Sequence, residues 1–591
     1  MIAEAVRLLE QNRLAEAAAR VVPLLESGNR DPDLLMLYAT ICERSGRADE
    51  ALGACRAALD SAPGRADLWA SVGRILFENG NPAEAMPYLK HAVAIEAGNP
   101  NFWYNLALAA DAAGDDAQAR SAHDKTLALA PQWAAAWAAR GALELRLGNP
   151  EAAERDLRRA LELDPASAYA RHYLAIALRE LDRADEALPL LEGQPAAPVE
   201  TRVLHAHLLD DVGRGDEAVK AYSQLIAENP HNLEAQERLA RILPQLGRRD
   251  EALAAYESAL ASQPSVDLYR SALGAAKDLR DSKALLHWSE QAITRFGSAP
   301  DLVAYRGIGF GLAGDPDSAL ECLEPLAAGG FSAVLAHCAV HRLKRGDLQE
   351  AERHALAATR ENRFDQAAWA YLTVIWRLLE DPREKWLADY ERLVMPIELE
   401  PPAGFATIKE FMGSLAAELE RLHTRTEHPA EQSLREGTQT SGNLFARRIE
   451  LIAQLRDTIR QSVEARTAEL AVDPEHPFLS RRTDSIRFVG SWSVRLRSGG
   501  FHINHIHQEG WLSSALYVAL PEGMGSRSDA KEGSLVFGIP DTALGLDLEP
   551  RRIERPEVGR LVVFPSYFWH GTVPFAADTP RMTVAFDAVP A

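Results

Sequence analysis

One spacing constrains this chain more than any other feature. Trp69, Trp103 and Trp137 stand 34 residues apart, and so do Gly46, Gly80, Gly114 and Gly148. Ala51, Ala85, Ala119, Ala153 and Ala187 keep the same interval. After one shorter unit it resumes with Gly213 and Gly247, and with Ala218 and Ala252. An interval of this length fits two short helices and their turns, so the chain must stack many small units instead of folding around one centre. Each position has a physical reason. The glycine ends the first helix and lets the chain turn. The alanine opens the second helix, where two helices approach too closely for a larger side chain. The tryptophan is expected to fill the space between the first helix and its neighbours. A proline such as Pro131 or Pro165 follows the second helix and stops it.

This pattern resembles the tetratricopeptide repeat. The match is tight over residues 35–170 and looser from 171 to 395, where GRRDEALAAYESAL and GDLQEAERHALAA keep the second-helix pattern. Roughly ten helix pairs are expected. The resemblance implies an all-α superhelix over residues 1–395 whose concave face holds a protein or peptide partner. The net charge is −21, of which −16 falls on the repeats and −5 on residues 396–591. An acidic array favours basic or neutral partners and argues against general nucleic-acid binding.

Other classes are excluded on similar grounds. No run of about 18 uncharged apolar residues is present, so no membrane span is expected. The first residues, MIAEAVRLLEQNRLAEAAARVV, read as an amphipathic helix without the basic start or cleavage site of a signal peptide. Cys42, Cys55, Cys322 and Cys338 show no paired spacing, which fits free thiols in a reducing, cytoplasmic compartment.

The helical period fails at ERLVMPIELEPPAGF, where Pro396, Pro401 and Pro402 interrupt it. We therefore expect a second domain over 396–591. A helix, TIKEFMGSLAAELERLH, comes first, then a polar, turn-rich stretch, HPAEQSLREGTQTSGNLF, then a helix over about 446–470. From residue 480 the apolar period switches to two. SIRFVGSWSVRLR, LSSALYVAL, GSLVFGI, GRLVVFP and RMTVAFDAV read as strands bounded by Gly, Pro and Asp, which suggests a sandwich or jelly roll.

The chemistry lies in two of these segments. GGFHINHIHQEGW places His505, His507 and Glu509 at i, i+2 and i+4, on one side of an extended strand. GRLVVFPSYFWHGTVPF places His570 just after another strand, and Arg581-Met582-Thr583 follows at the start of a third. Two ligands two apart on a strand, with a distant His from a facing strand, give the facial geometry that oxygen-activating iron needs. An Arg deeper in the barrel suits a carboxylate, because its planar fork makes two hydrogen bonds to it.

The segments QSLREGTQTSGNLF, HPFL, HIHQEGWLSSALYVALP, FPSYFWHGTVPF and RMTVAFD resemble a bacterial family of 2-oxoglutarate-Fe(II) oxygenases, often fused to tetratricopeptide repeats. The resemblance implies a double-stranded β-helix (a cupin-like jelly roll) with flanking helices, Fe(II), and 2-oxoglutarate and O2 as cosubstrates. It implies a dioxygenase that hydroxylates a protein or peptide recruited by the repeats. His505, His507 and His570 would hold the metal, with Glu509 as the alternative third ligand. The wider superfamily usually has a carboxylate in the first pair, and the frame His507-x-Glu509 would restore it. Arg581 and Thr583, with Tyr517 from a core strand, would bind the cosubstrate. Two other readings stay open. Gly499, His505, His507, Gly559 and Pro565 also resemble the motifs of metal cupins that use no 2-oxoglutarate. An interaction scaffold with an inactive oxygenase domain would carry the same repeats.

Overall fold

A computed structural model describes residues 1–181, 183–193, 197–423, 433–440, 443–447, 449–524 and 531–591. The chain falls into two compact units, residues 1–181 with 189–191, and residues 182–188 with 192–591.

The first unit is built of helix pairs such as Ala66–Glu78 with Pro82–Ile95, and Pro100–Ala112 with Asp116–Leu129. The periodic alanines do what the spacing predicts: Ala51, Ala85, Ala119 and Ala153 are all fully buried. Gly80 and Gly114 both take φ +78°, the left-handed turn that closes a helix where a Cβ would be strained. The tryptophans pack as expected, Trp69 and Trp103 against the repeat core and Trp69 on His91 of the second helix at 4.0 Å between ring centroids, but they also do a second job. Trp69, Trp103 and Trp137 are only half-buried. Their indole N–H groups donate to the carbonyls of Pro63, Ala97 and Pro131, at 2.8, 2.8 and 2.9 Å. Each indole pins the turn before its own helix. In the next repeat Arg171 does the same work, donating to Pro165 O at 2.8 Å.

The second unit continues the helix pairs from Val199–Asp211 to Leu348–Glu361 and ends them with the helix Gln366–Leu378. Its sheets follow. We number the strands β1 (Met395–Glu398), β2 (Leu434–Gln439), β3 (Ile486–His502), β4 (Leu512–Ala519), β5 (Leu535–Phe537), β6 (Arg552–Glu554), β7 (Arg560–Pro565), β8 (His570–Thr572) and β9 (Arg581–Pro590). Six form one antiparallel sheet in the order β1-β7-β4-β9-β3-β2, and three form another, β6-β5-β8. The architecture is a repeat array followed by an antiparallel β-sandwich with flanking helices. The helices Ile408–Leu422 and Glu450–Ala468 fall where the apolar period placed them. The first opens on Thr407, whose hydroxyl accepts from Glu410 N at 3.2 Å, while the Glu410 carboxylate reaches back to Ala406 N.

Four strands were not foreseen: the three-residue β6 and β8, and two in segments read otherwise, β1 and β2. β1 begins at the proline-marked join, and Pro396 fits there because β1 is a sheet edge. β2 lies in the stretch read as polar and turn-rich; other residues of that stretch, 428–432 and 441–442, lie outside those described.

The chemical change of the chain near 396 meets no break in the core. One apolar cluster runs from Ala339 and Trp369 through Tyr390, Leu415 and Phe445 to Phe564, Trp569 and Phe586. Trp569 Nε1 donates to Ala370 O at 2.9 Å, and the Tyr567 hydroxyl to Leu387 O at 2.8 Å. Arg377 donates to Gly538 O and Glu549 O, at 2.9 and 2.8 Å. The last repeat helix is thus packed into the sandwich.

Candidate metal and cosubstrate site

β3 ends at His502, and the chain then runs irregularly past the site to β4. A single antiparallel bridge, His505 with His570, holds it to the start of β8. The backbone hydrogen bonds of that bridge are 2.9 and 3.0 Å, and His507 N donates to Ser566 O at 3.0 Å. Because that pairing ends at His507, the side-by-side parity expected for His505, His507 and Glu509 stops short of the third residue. Glu509 lies exposed on the turn. Its carboxylate is not part of the cluster that can hold a metal, which among the described residues comprises His505, His507 and His570.

Those three rings converge. One nitrogen from each lies within 4.8 Å of the other two. The ring centroids are 4.2 Å (His505 to His570), 5.1 Å (His505 to His507) and 5.2 Å (His507 to His570) apart. The outer nitrogens decide the tautomers. His505 Nδ1 faces Ile503 O at 2.8 Å and His570 Nδ1 faces Phe568 O at 2.9 Å. A carbonyl can only accept, so each Nδ1 carries the proton and each Nε2 presents a bare lone pair. His507 Nδ1 meets the Asp587 carboxylate at 2.7 Å, with the same result. His505 Nε2 and His507 Nε2 then face each other at 3.2 Å, two acceptors with no hydrogen between them. Burial pushes the His505 imidazole down to about 3 and holds His570 well below its ordinary value. Burial also works against charge on His507, but the Asp587 carboxylate outweighs it and raises that pKa. Three convergent imidazole nitrogens are what a divalent transition metal requires, and a bound metal would displace any proton that Asp587 favours on His507.

The cavity beside them lies between the two sheets. Trp492 and Val494 from β3, Ala515 from β4, Leu535 from β5, and Arg581, Thr583 and Ala585 from β9 line it. Arg581 is the anomaly in this wall. It is 2% exposed, and its Nε and Nη1 have no hydrogen-bond partner. Burial pulls its pKa down. A buried guanidinium with two unsatisfied nitrogens and no carboxylate partner among the described residues is held at a cost on the order of several kcal/mol, so the fold keeps two strong donors in waiting for an anion. Tyr517 is fully buried, and its ring lies 5.0 Å from the Arg581 guanidinium carbon, so it supports the cation from behind. Thr583 pairs with Tyr517 in the sheet and faces the cavity.

Residues that the sequence reading passed over complete the site. Asp587 sits six after Arg581 on the same face of β9, since alternate residues share a side. Its other carboxylate oxygen accepts from Ser513 Oγ at 2.6 Å. Ser433 Oγ lies 3.2 Å from His505 Nε2 and 2.9 Å from His502 Nδ1. Trp492 stacks on His507, 5.8 Å between centroids. The period of two that marked Arg581 and Thr583 also reaches Asp587; nothing in the local sequence marks Ser433. Gly571 permits the close approach, because a Cβ there would meet Asn504 Oδ1 and stand 2.9 Å from His502 O.

Residues 490–587 match the profile of a family described as "Putative 2OG-Fe(II) oxygenase". Tetratricopeptide-repeat profiles match 2–66, 76–143, 134–177 and 203–267. The chain joins tetratricopeptide repeats to a 2OG-Fe(II) oxygenase-family domain. No curated protein matches it. Among solved structures, the tetratricopeptide-repeat protein YrrB, described as having an unusual peptide-binding site, is 23% identical. That match covers 29% of this chain and 88% of YrrB, at a TM-score of 0.27. A thermophilic repeat protein of Thermus thermophilus is 24% identical, covering 30% of this chain and 98% of its own, at 0.26. A repeat protein from Parabacteroides merdae is 19% identical, covering 48% and 100%, at 0.28.

Proposed function

We propose that the chain is an Fe(II)- and 2-oxoglutarate-dependent dioxygenase that hydroxylates a protein or peptide held by its repeats. His505, His507 and His570 are the proposed metal ligands, and Glu509 is left out because it is exposed on the turn. The observation that carries the cosubstrate is Arg581. Three imidazoles would suit iron, zinc, copper or nickel equally, but a buried guanidinium without a counter-ion calls for a carboxylate a few ångströms from the metal.

Bound iron with 2-oxoglutarate and O2 supplies oxidative decarboxylation and a hydroxylating oxidant. The chain supplies the rest. Arg581 pairs with the far carboxylate and Thr583 offers it a hydroxyl, while Tyr517 holds the guanidinium in place. The hydrogen bonds to Ile503, Phe568 and Asp587 orient the ligand rings. Val494, Ala515, Leu535 and Ala585 exclude water from the reacting centre.

The cavity has room for about 50 Å³ of water-sized volume. That amounts to a few waters at roughly 10–15 Å³ each, so a bound 2-oxoglutarate would take up all of it. The prime substrate is then presented at the mouth, as a side chain of a larger molecule would be. A cleft of about 500 Å³ in the repeats, lined by Glu237, Asp267 and Asp278 together with Arg241, Arg270, Tyr256 and Tyr305, offers a place for such a substrate, with charges of both signs and two phenols to meet a peptide. Among the described residues no helix is long and apolar enough to cross a membrane, and the free cysteines fit a reducing cytoplasm. We place the module change at 396 and count the helix Gln366–Leu378 as part of the folded catalytic unit.

The test is anaerobic loading with Fe(II), followed by 2-oxoglutarate and O2. Iron-dependent release of succinate is expected. Metal binding without succinate release would favour a metal cupin, and failure to bind any metal would leave a repeat scaffold.

A further inference from the structure

A site of three neutral imidazoles lacks the negative charge that a carboxylate ligand would bring to the iron. We propose that Asp587 supplies that charge from one hydrogen bond further out, acting through His507 as a positioning residue that tunes the metal. This rests on the metal reading given above.

Four observations carry it. The Asp587 carboxylate is largely enclosed, its side chain 13% exposed. Its only ion-pair partner among the described residues is His507, at 2.7 Å. Its second oxygen is held by Ser513 Oγ at 2.6 Å, and Ser513 Oγ is in turn 2.9 Å from Ser566 Oγ. Ser566 O accepts from His507 N, so the carboxylate and the ring it steers are held by one small network. Gly510 leaves the space for that network, since a Cβ there would stand 3.5 Å from the Asp587 Cβ and closer still to Ser566 Oγ. An enclosed carboxylate with no Lys or Arg partner is costly unless something cationic lies beyond the imidazole. A metal on His507 Nε2 is that cation. The Nδ1–H bond to the carboxylate makes the imidazole a stronger donor and gives it partial imidazolate character. The same face of β9 thus serves both ends of the cavity, with Arg581 for the anion and Asp587 for the metal.

The experiment uses the full-length protein with Fe(II), anaerobically, in competition with a chelator, and with the Fe(III)/Fe(II) potential measured in the same samples. Asp587→Asn keeps the shape and removes the charge. The expected result is a loss of about 10- to 100-fold in Fe(II) affinity and a more positive potential, because a negative charge favours Fe(III). A purely structural role would weaken both oxidation states alike and leave the potential where it was. Wild-type affinity or an unmoved potential in Asp587→Asn overturns the proposal. If Asp587→Asn does not fold, Asp587→Glu, which keeps the charge, replaces it: affinity within about tenfold of wild type at an unchanged potential is expected, and a loss beyond that range, or a moved potential, overturns the idea. A wild type that binds no iron would instead overturn the metal reading itself.

Discussion

Replacing Arg581 by Met separates binding from stability. In the structure the guanidinium is buried, two of its nitrogens are unpartnered, and its support is the face of Tyr517. Met fills most of the same volume without the charge. Losing a desolvated, charge-assisted pair costs about 2–5 kcal/mol, or roughly 30- to several-thousand-fold in 2-oxoglutarate affinity. The ligand-free protein should move the other way. Exchanging buried charge for a well-packed apolar side chain is neutral or stabilising by about 1–4 kcal/mol. Linkage makes this measurable. At a 2-oxoglutarate concentration of about 100 Kd the wild type gains about 2.7 kcal/mol. If Kd rises about 100-fold, the variant gains only about 0.4 kcal/mol at that concentration. The assay is an anaerobic titration of the Fe(II) protein by its charge-transfer band, beside urea melts with and without 2-oxoglutarate. Iron loading should be unchanged, since Arg581 is not a ligand. A variant that binds 2-oxoglutarate within about threefold of wild type, or that unfolds more easily when ligand-free, would refute the reasoning.

Further outcomes are expected. His570→Ala should abolish iron loading while Glu509→Gln leaves it intact, as read by metal analysis after anaerobic reconstitution; the reverse pattern would return Glu509 to the site. A fragment of residues 396–591 would expose Tyr567, Phe568 and Trp569, costing roughly 5–9 kcal/mol at about 1.5–3 kcal/mol per ring, comparable to the whole stability of a domain. Circular dichroism should show it unfolded or molten, whereas a fragment starting near residue 300 should melt cooperatively. His123, His341, His423 and His476 are held by burial at about 4. Their folded values lie below the unfolded one, so their contribution is complete above pH ~6.5 and fades toward pH ~4, by up to about 1.4 kcal/mol per group per pH unit. The urea midpoint should therefore fall between pH 7.5 and 4.5; an unchanged midpoint would mean these rings are not buried neutral. Gly571→Ala should disturb the site, because its new Cβ has no room beside Asn504; full iron affinity in that variant would count against the packing described.

What the sequence made legible follows from its periodicities. A strict interval exposes the repeats where close-packed alanines and left-handed glycines recur in it, and the pattern blurs where Asn12, Arg280 or Glu380 takes the left-handed position instead of glycine. His505, His507, His570 and Arg581 stood out because uncommon residue types recur at chemically meaningful spacings. Glu509 misled for a physical reason: parity holds only while an extended pairing lasts, and the pairing through His505 and His507 to His570 and Ser566 stops before it. The tryptophans were read only in part, because a large ring reads as core filling while its N–H group also serves the turn. β2 escaped notice because LREGTQ lacks a clear alternation, and its Gly437 reflects a tight approach to Arg495 O, at 2.6 Å from where a Cβ would be. Asp587 went unassigned since a single acid at a strand end usually faces water.

The bond from Trp569 to Ala370 has a consequence for how such chains are assembled. The segment that delivers His570 is fastened at its outer side to the final repeat helix by an indole, and to the short helices after it by a phenol on Leu387 and a phenylalanine ring against Tyr390. A gene fusion or exchange made where helices give way to strands would cut a ligand-bearing segment from its anchor. Workable crossovers must lie upstream, before the cluster that begins at Ala339. The repeats before it can then vary in number and sequence, while the last helix is inherited with the candidate metal site as one heritable piece.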